Sequence, residues 1–413
     1  MRVVFTTYAF PDDNQAFMAR FAGALARLGT DVCVVASAGN RGACAPRGDP
    51  VLVPRVLRAP WTDPRTTKAL TLLLSTRRAA QYHPTEYRRL VSALRRRHGQ
   101  SRALLAELYA QTPVLSQPFD VLHVGWLEAA THWTELLGAV DAPVVVSCHG
   151  SDLRLEPLLG GRYRERLATV FDRADLVHCV SRELADRAVE LGLEPAKLFV
   201  RPWGVDTARF RPLPTRSRAD VLRVVSVGRL HWVKGYEFAL QAIARARRAG
   251  VDVEYTVIGA GDRRNRLNVL TTARDLDLLP CLRLRGALSQ TEVADTLREA
   301  DVFLLASLSE GLSNATLEAM AVGLPVLVTD VGGMREAVTD GVEGRVVPPR
   351  DPAAMAAALL ELAADDDLRS RMGRRARERA ARDFETEPAA RAMMGEYERL
   401  VHDWRAPAGT TEK

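Results

Sequence analysis

The sequence predicts an α/β protein with two Rossmann-like, doubly wound domains that face each other across a cleft. Short β-branched runs alternate with helical patterns along the chain, and this alternation is typical of parallel sheets covered by helices. A proline-rich passage near residues 201–215 interrupts the series, which then begins afresh and so indicates a linker between two units. The length of 413 residues agrees, since a domain takes roughly 150 residues.

The first predicted domain covers residues 1–203 and opens with a βαβ unit. A strand over 2–7 leads into an Ala/Leu/Phe-rich helix over 16–28, which Gly29 ends before a strand over 32–36. Further β-branched runs predict strands at 121–124, 144–147, 176–180 and 198–202.

The second predicted domain covers residues 204–388 and has a sheet of its own. Helices are predicted over 237–249 and, in an Ala/Arg-rich stretch, over 353–382. Ligands of such folds bind beyond the carboxyl ends of the strands, so the cleft between the sheets is the predicted ligand site. The β-branched runs predict strands at 223–227, 255–258, 282–285, 302–306, 325–329 and 344–347.

Composition predicts a water-soluble protein of the cytoplasm. Hydrophobic residues make up 47% and charged residues 26% of the chain, the balance of a globular domain. No apolar run reaches the roughly 18 residues of a membrane span, and the N-terminal apolar run is too short for a signal peptide. The five cysteines are scattered and odd in number, so neither a disulfide framework nor a zinc site is indicated.

The positive charge is concentrated in a basic insertion at residues 55–102. This segment contains 12 Lys and Arg against Asp63 and Glu86. It is interpreted either as a patch for anionic lipid or a phosphorylated acceptor, which would bring the protein to the inner face of the membrane, or as solvated arginines on helices. Nucleic acid is not a predicted partner, because no recognition motif or interleaved aromatic residues accompany the charge.

The segment 309–318, S-E-G-L-S-N-A-T-L-E, places two carboxylates, Glu310 and Glu318, just over two helical turns apart. Between them, Gly311 lets the backbone approach a ligand, and the amides of Ser313, Asn314 and Ala315 belong to a predicted helix start that favours an anion. Two hydroxyl acceptors around an anion site suit a sugar joined to a nucleotide through phosphates. Glu310 could instead simply cap the helix.

Two further loops follow predicted strands. The loop 226–235, S-V-G-R-L-H-W-V-K-G, presents Arg229 and Lys234, two cations that can clamp a diphosphate and neutralise a departing nucleotide. Alone, it could be an ordinary surface loop. The loop 147–152, S-C-H-G-S-D, places His149 at a strand end beside Gly150; a single histidine is often structural, but this position favours a functional one.

Together these motifs resemble the retaining GT-B glycosyltransferases of family 4. The ordered segments that carry the resemblance are G-R-L…V-K-G at 228–235, V-I-G-A-G-D at 257–262, E-G-L-S-N-A-T-L-E-A-M-A at 310–321, G-L-P-V at 323–326 and G-G-M-R-E at 332–336. The resemblance implies a GT-B fold in which the first domain binds the acceptor, the second binds the nucleotide sugar, and a last helix within 389–413 crosses back to the first domain.

The resemblance also implies residue roles. Arg229 and Lys234 would hold the donor diphosphate, and Glu318 would accept the ribose hydroxyls. Glu310 would contact hydroxyls of the transferred sugar, and His149 would lie beside that sugar as the second catalytic candidate. The backbone that would meet the sugar and distal phosphate is that of Gly311, Leu312, Ser313, Asn314 and Ala315.

The first strand-to-helix loop departs from the family pattern. Many relatives carry a Gly-Gly pair there, whereas this chain has A-F-P-D-D-N-Q-A-F at residues 9–17. Asp13, Asn14 and Gln15 are the acceptor-binding candidates in this loop, together with Asp152, which would also order the His149 loop.

The implied reaction is retaining transfer of a hexosyl or N-acetylhexosaminyl group from a nucleotide diphosphate sugar, with UDP-sugar favoured. The acceptor would be a hydroxyl of a small molecule or of a cell-envelope glycan or lipid. No cofactor and no divalent metal are predicted, since no D-x-D motif stands at a matching loop. The alternatives are a nucleotide-sugar epimerase, a glycogen-type phosphorylase, and a non-catalytic carbohydrate-binding protein that keeps the fold.

Overall fold

Two parallel β-sheets covered by helices form the frame of the molecule, as the sequence predicts. The computed structural model describes residues 1–9, 16–38, 55–58, 65–213 and 221–405. Within these residues the first sheet has seven strands in the order β3-β2-β1-β4-β5-β6-β7, and the second has six in the order β10-β9-β8-β11-β12-β13. Neighbouring strands in both sheets pair in parallel, so the predicted fold class is confirmed.

The N-terminal domain surrounds its sheet with helices on both faces. Its strands are β1 (Arg2–Ala9), β2 (Asp31–Ala38), β3 (Arg55–Arg58), β4 (Val121–Val124), β5 (Val144–Cys148), β6 (Leu176–Cys179) and β7 (Leu198–Val200). Its helices are α1 (Ala16–Arg27), α2 (Arg65–Tyr82), α3 (Pro84–His98), α4 (Arg102–Leu115), α5 (Leu127–His132), α6 (Thr134–Ala139), α7 (Ser151–Arg154), α8 (Gly161–Arg173) and α9 (Arg182–Glu190).

The C-terminal domain has the same layered arrangement. Its strands are β8 (Leu222–Val227), β9 (Val253–Ile258), β10 (Leu282–Gly286), β11 (Val302–Leu305), β12 (Val326–Thr329) and β13 (Gly344–Val347). Its helices are α10 (Tyr236–Arg248), α11 (Arg263–Asp275), α12 (Gln290–Glu299), α13 (Asn314–Ala321), α14 (Met334–Ala337), α15 (Pro352–Ala364) and α16 (Asp366–Asp383), and α17 (Thr386–Arg405) follows them.

Two details differ from the predicted elements. The Ala/Arg-rich stretch forms two helices, α15 and α16, because Asp365 leaves the helical conformation and accepts a hydrogen bond from the amide of Leu368 at 2.8 Å. Strand β3, which lies within the basic insertion, was not predicted. It pairs with β2 at the edge of the sheet, a position that tolerates its R-V-L-R sequence.

The chain crosses between the domains twice at one place. The amide of Val205 donates to the carbonyl of Phe384 at 2.7 Å, and the amide of Thr386 donates to the carbonyl of Val205 at 3.2 Å. After this crossing α17 packs on the N-terminal domain, where Tyr397 is fully buried. Its hydroxyl lies 2.5 Å from Nδ1 of His123 on β4. The second crossing therefore joins α17 to the core of the first domain.

In the part of the chain that the structure covers, no helix combines the length and the apolar character that a bilayer span requires.

Candidate active site

A cavity of about 270 Å³ lies between the two domains, at the carboxyl ends of both sheets. Its walls come from the loops and helix starts that follow β1, β4 and β5 in one domain and β8 to β11 in the other. This is the place where doubly wound domains bind ligands. The polar side chains that line it are Arg20, His149, Arg229, Lys234, Gln290, Glu310, Ser313, Asn314 and Glu318.

Glu310 and Lys234 form an ion pair in the wall of the C-terminal domain. Nζ of Lys234 lies 2.6 Å from Oε1 of Glu310, and the hydroxyl of Ser307 donates to the same oxygen at 2.6 Å. Both charged side chains are largely buried, with 17% and 10% of their surface exposed. Arg229 lines the same cavity and is exposed. The predicted cations and one predicted carboxylate are therefore brought together.

The start of α13 faces the same cavity. Ser313 is the N-cap residue, and its hydroxyl accepts from the amide of Thr316 at 3.3 Å. Leu312, Asn314 and Ala315 also line the cavity, so the first turn of the helix and its unpaired amides are directed to the ligand space. A helix start of this kind carries partial positive charge. Together with Arg229 and Lys234 it makes this wall electropositive.

Glu318 is buried on α13 and is paired with a residue of the other domain. Its side chain is 7% exposed, and Oε1 accepts from Nη1 of Arg20 on α1 at 2.9 Å. The same Nη1 donates to Oε1 of Gln290 at 2.5 Å. Burial raises the pKa of the Glu318 carboxyl, and the positive charge of Arg20 opposes this rise. The ion pair therefore links the two walls of the cavity.

Glycine residues let the two backbones meet beside the cavity. A Cβ atom at Gly311 would overlap the carbonyl oxygen of His149, and one at Gly150 would lie 2.8 Å from the amide nitrogen of Gly311. Gly150 also has φ +137°, a conformation that favours glycine. The loop 147–152 and the segment 309–318 consequently touch with no side chain between them.

Glu336, in the G-G-M-R-E segment at 332–336, makes a further contact between the domains. Its carboxylate accepts from the amides of Arg182 at 2.8 Å and Glu183 at 2.9 Å. These amides belong to the first turn of α9, which has no intrahelical acceptors for them. Glu336 thus caps a helix of the opposite domain from outside the cavity.

His149 is held as a neutral ring between two indoles. Its Nε2 lies 2.7 Å from the carbonyl oxygen of Gly125, and Nδ1 accepts from the indole N–H of Trp203 at 3.3 Å. Trp126 and Trp203 have ring centroids 4.1 and 5.7 Å from the imidazole. Burial lowers the pKa of His149 to about 3. The ring is therefore uncharged near neutral pH, with the proton on Nε2.

The comparisons with known proteins agree with this geometry. Residues 15–209 match the family Glycosyltransferase Family 4, and residues 222–365 match Glycosyl transferases group 1. The glycosyltransferase WcaL of Salmonella typhimurium, assigned to colanic acid biosynthesis, is 33% identical over 301 residues, which cover 70% of this chain and 73% of WcaL. The chain belongs to glycosyltransferase family 4. Membership of this family, which the motifs indicated, is thereby confirmed, as is the prediction that the protein is an enzyme that transfers sugars.

Other proteins similar to this family 4 enzyme have a lower sequence identity but match a larger share of its length. The amylovoran biosynthesis glycosyltransferase AmsK of Erwinia amylovora is 28% identical over 379 residues, 88% of this chain and 90% of AmsK. Among solved structures, sucrose-phosphate synthase from Thermosynechococcus elongatus superposes with a TM-score of 0.73 at 19% identity, covering 98% of this chain and 100% of that chain. Anabaena HepE, in complex with UDP and glucose, gives 0.72 at 15%, covering 97% and 100%. At these identities the structures establish the GT-B fold.

Among the four acceptor-binding candidates of this glycosyltransferase, Asp152 is the one that the structure describes. Asp152 is 2% exposed, and its carboxylate accepts from the amides of His149 at 3.0 Å, Gly150 at 2.8 Å and Leu153 at 3.1 Å. Burial raises its pKa to about 6, against the effect of these amides. These bonds order the loop, as was predicted for Asp152, and its contact with an acceptor stays a prediction. Asp13, Asn14 and Gln15 lie outside the described residues.

Arg20, Gln290 and the indole partners of His149 were not found from the sequence. Arg20 lies on the helix predicted over 16–28, whose Ala, Leu and Phe residues indicated packing alone. Its partner Glu318 is 298 positions away, so no local spacing connects them. A usable signal was the arginine itself, since a charge on the inner face of a helix needs a partner.

Proposed function

We propose that this protein is a retaining glycosyltransferase that uses a nucleotide diphosphate sugar, with UDP-sugar favoured. The transferred group would be a hexosyl or N-acetylhexosaminyl unit. The observation that carries the proposal is that one interdomain cavity contains an electropositive wall, made by Arg229, Lys234 and the start of α13, beside the two carboxylates Glu310 and Glu318. This set matches the diphosphate and the hydroxyl groups of such a donor.

The roles of the side chains follow from their positions. Arg229, Lys234 and the α13 amides bind the diphosphate and stabilise its charge as the bond between the anomeric carbon and the phosphate oxygen breaks. Glu318 accepts from the ribose hydroxyls and Glu310 from the sugar hydroxyls. Neutral His149 places an uncharged, rigid ring at the opposite wall. The protein supplies positive charge at the leaving group, and the absence of a divalent metal requirement stays a prediction.

The retaining course requires the acceptor hydroxyl to attack from the face that the diphosphate leaves. A new bond forms between the anomeric carbon and the acceptor oxygen, and the departing phosphate oxygen takes the hydroxyl proton. No buried carboxylate has to act as a general base in this course. The closed contact between Gly150 and Gly311 holds the two walls in the relative position that such a front-face transfer needs.

Similar proteins support the substrate classes. A structural neighbour is a complex with UDP and glucose, and another is a complex with UDP and N-acetylglucosamine, which favours a UDP-sugar here. WcaL and AmsK are assigned to colanic acid and amylovoran biosynthesis. These relatives favour a hydroxyl of a cell-envelope glycan or lipid, or of a small molecule, as the acceptor.

A nucleotide panel tests the donor site. We expect one of UDP, GDP, ADP or TDP to raise the thermal stability of the wild type in the absence of metal, since a ligand at 100 times its dissociation constant adds about 2.7 kcal/mol. Glu318→Ala should not respond, whereas Glu398→Ala, an exposed position on α17, should respond like the wild type. If no nucleotide stabilises the wild type, the donor site is wrong and the non-catalytic alternative gains support.

The same nucleotide, attached to its sugar, separates the enzyme classes. A glycosyltransferase releases the free nucleoside diphosphate when an acceptor or water takes the sugar. An epimerase converts the nucleotide sugar without releasing the nucleotide, and a non-catalytic protein does neither. Analysis of the products by anion-exchange chromatography therefore distinguishes the three, and the configuration of the transferred sugar in the product tests retention.

We further propose that helices α2 and α4 bind an anionic membrane surface. Leu70 and Leu73 on α2 and Leu105 on α4 expose 57%, 66% and 58% of their surface, beside an apolar groove of about 900 Å³ between the two helices. Residues 65–115 contain ten Lys and Arg against two acidic residues. Exposed leucines among cations suit the interface of an anionic bilayer.

The topology places this leucine surface near the cleft. Helix α2 follows the carboxyl end of β3, and α4 ends just before the amino end of β4. Both helices therefore begin at the edge of the sheet that carries the cavity, and the groove lies along their first turns. An acceptor embedded in the membrane would consequently be presented on the side of the molecule where the cleft opens.

Vesicle sedimentation tests the leucine surface. We expect the wild type to bind vesicles containing phosphatidylglycerol and not pure phosphatidylcholine, with binding weakened by salt. Replacing Leu73 and Leu105 together by serine should weaken vesicle binding about tenfold or more. Full burial of one leucine side chain in the membrane would contribute about 1.5–3 kcal/mol to the binding free energy. Leu279→Ser, at a comparably exposed leucine of the other domain, is the control. Equal loss in the control would contradict the assignment.

A further inference from the structure

Arg20 is the feature of the cavity that the proposed roles leave unexplained. It belongs to α1 of the N-terminal domain, yet it lines the cavity together with the residues of the electropositive wall of the other domain. Its side chain is 9% exposed, and its guanidinium carbon lies 5.9 Å from the centre of the Phe210 ring. A charge this deeply buried must be balanced by specific partners.

The protein satisfies one part of the guanidinium. Nη1 donates to Glu318 and to Gln290, which uses both of its hydrogens. Nε and Nη2 are buried and have no hydrogen-bond partner among the described residues. Three N–H groups of one positively charged side chain are therefore left without an acceptor in a residue that lines the cavity, next to the carboxylate that is expected to hold the ribose.

We propose that Arg20 is a donor-binding residue, and that its Nε and Nη2 groups donate to oxygen atoms of the nucleotide bound at Glu318. This inference rests on the proposed function of the cavity. A guanidinium is suited to this task, because its fixed fork of donors matches vicinal hydroxyls or phosphate oxygens. The nucleotide would then be held from both domains at once.

This assignment gives a chemical reason for the pairing of Arg20 with Glu318. The carboxylate has two oxygens, of which Oε1 accepts from Arg20. Hydroxyl groups that bind to Glu318 come within reach of the unused donors of the same arginine, and neither charge has to be left without a partner. Arg20 thereby offers the donor a contact from α1 of the N-terminal domain.

Calorimetric titration of the purified full chain tests the proposal. The probes are the nucleoside diphosphate that the panel selects, expected to be UDP, and the corresponding nucleoside, expected to be uridine. Arg20→Met should weaken binding of the diphosphate by about 10- to 100-fold, the range for losing charged hydrogen bonds. Arg20→Lys, which keeps the charge but not the fork, should lose less.

Glu336→Ala is the matched control, because Glu336 also joins the two domains but does not line the cavity. It should weaken nucleotide binding less than threefold. An equal loss in both variants would show that Arg20 acts through domain contact alone and would overturn the proposal. Unchanged or tighter binding by Arg20→Met would overturn it as well.

The two probes separate the possible oxygen partners. A loss seen with both nucleoside and diphosphate assigns the contact to the ribose, and a loss seen with the diphosphate alone assigns it to the phosphates. Thermal unfolding of each variant is recorded alongside. If Arg20→Met does not fold, the lysine variant decides, and its wild-type affinity would refute the contact. A wild type that binds no nucleotide would instead refute the proposed function.

Discussion

Replacing Gly311 with alanine is expected to reduce sugar transfer by at least about 100-fold while both domains stay folded. The added methyl group would overlap the carbonyl oxygen of His149 in the opposite domain. That oxygen belongs to the backbone, and the loop that carries it is fixed by three hydrogen bonds to the buried Asp152. The clash can therefore be relieved mainly by moving the two walls of the cavity apart, and a displacement of about 1 Å can cost a factor of 10².

The measurement for Gly311→Ala is kcat/KM for the transfer reaction, together with small-angle scattering and thermal unfolding. We expect a larger radius of gyration and a nearly unchanged unfolding temperature. Gly395→Ala is the control: Gly395 lies on α17, where a Cβ would meet no atom within 4 Å, and alanine there should stabilise the helix by up to about 1 kcal/mol. Full activity of Gly311→Ala would mean that transfer does not need the closed contact.

Replacing Lys234 with alanine is expected to lower kcat by about 10² to 10³-fold, the range for removing one group that stabilises developing charge. In the proposed function, the substitution removes a cation from the electropositive wall that binds the diphosphate. It also leaves Glu310 facing the phosphates without the ammonium group that lies 2.6 Å away in the wild type. Loss of attraction and new repulsion act in the same direction, so the effect should exceed that of losing a simple contact.

Steady-state kinetics with the donor varied checks this expectation, and Lys234→Arg should recover part of the activity because it restores the charge. Lys197→Ala is the comparison: Lys197 donates to the carbonyls of Phe171 and Asp172 in the N-terminal domain and does not line the cavity. Its removal should leave kcat unchanged. A Lys234→Ala enzyme with normal kcat would exclude Lys234 from stabilising the leaving group.

That Glu310, Glu318 and the start of α13 line one cavity could be predicted from sequence, because these groups lie in one short continuous segment. Glu310 and Glu318 are separated by a little over two helical turns, and the start of α13 between them is set by Ser313 as N-cap. Local spacing therefore determines where these groups lie. The same reasoning located the β-branched strands, since each run forms its own strand.

What the sequence could not show depends on contacts between distant segments. Arg20 meets Glu318 only because two domains close on each other, and Glu336 caps α9 across the same gap. The ordering of the His149 loop by Asp152 is the opposite case. It could be predicted, because the carboxylate and the amides that donate to it all lie within residues 149–153. Strand β3 was missed because its two apolar residues, Val56 and Leu57, lie between two arginines and give too short an apolar pattern.

The position of α17 has a consequence for how the protein is made. Tyr397 and its neighbours on this helix complete the core of the N-terminal domain, but they are synthesised after the whole C-terminal domain. During translation, the face of the N-terminal domain that α17 covers therefore stays exposed to water until residues 386–405 have left the ribosome. The N-terminal domain is thus synthesised first, but its core is completed after the C-terminal domain has been synthesised.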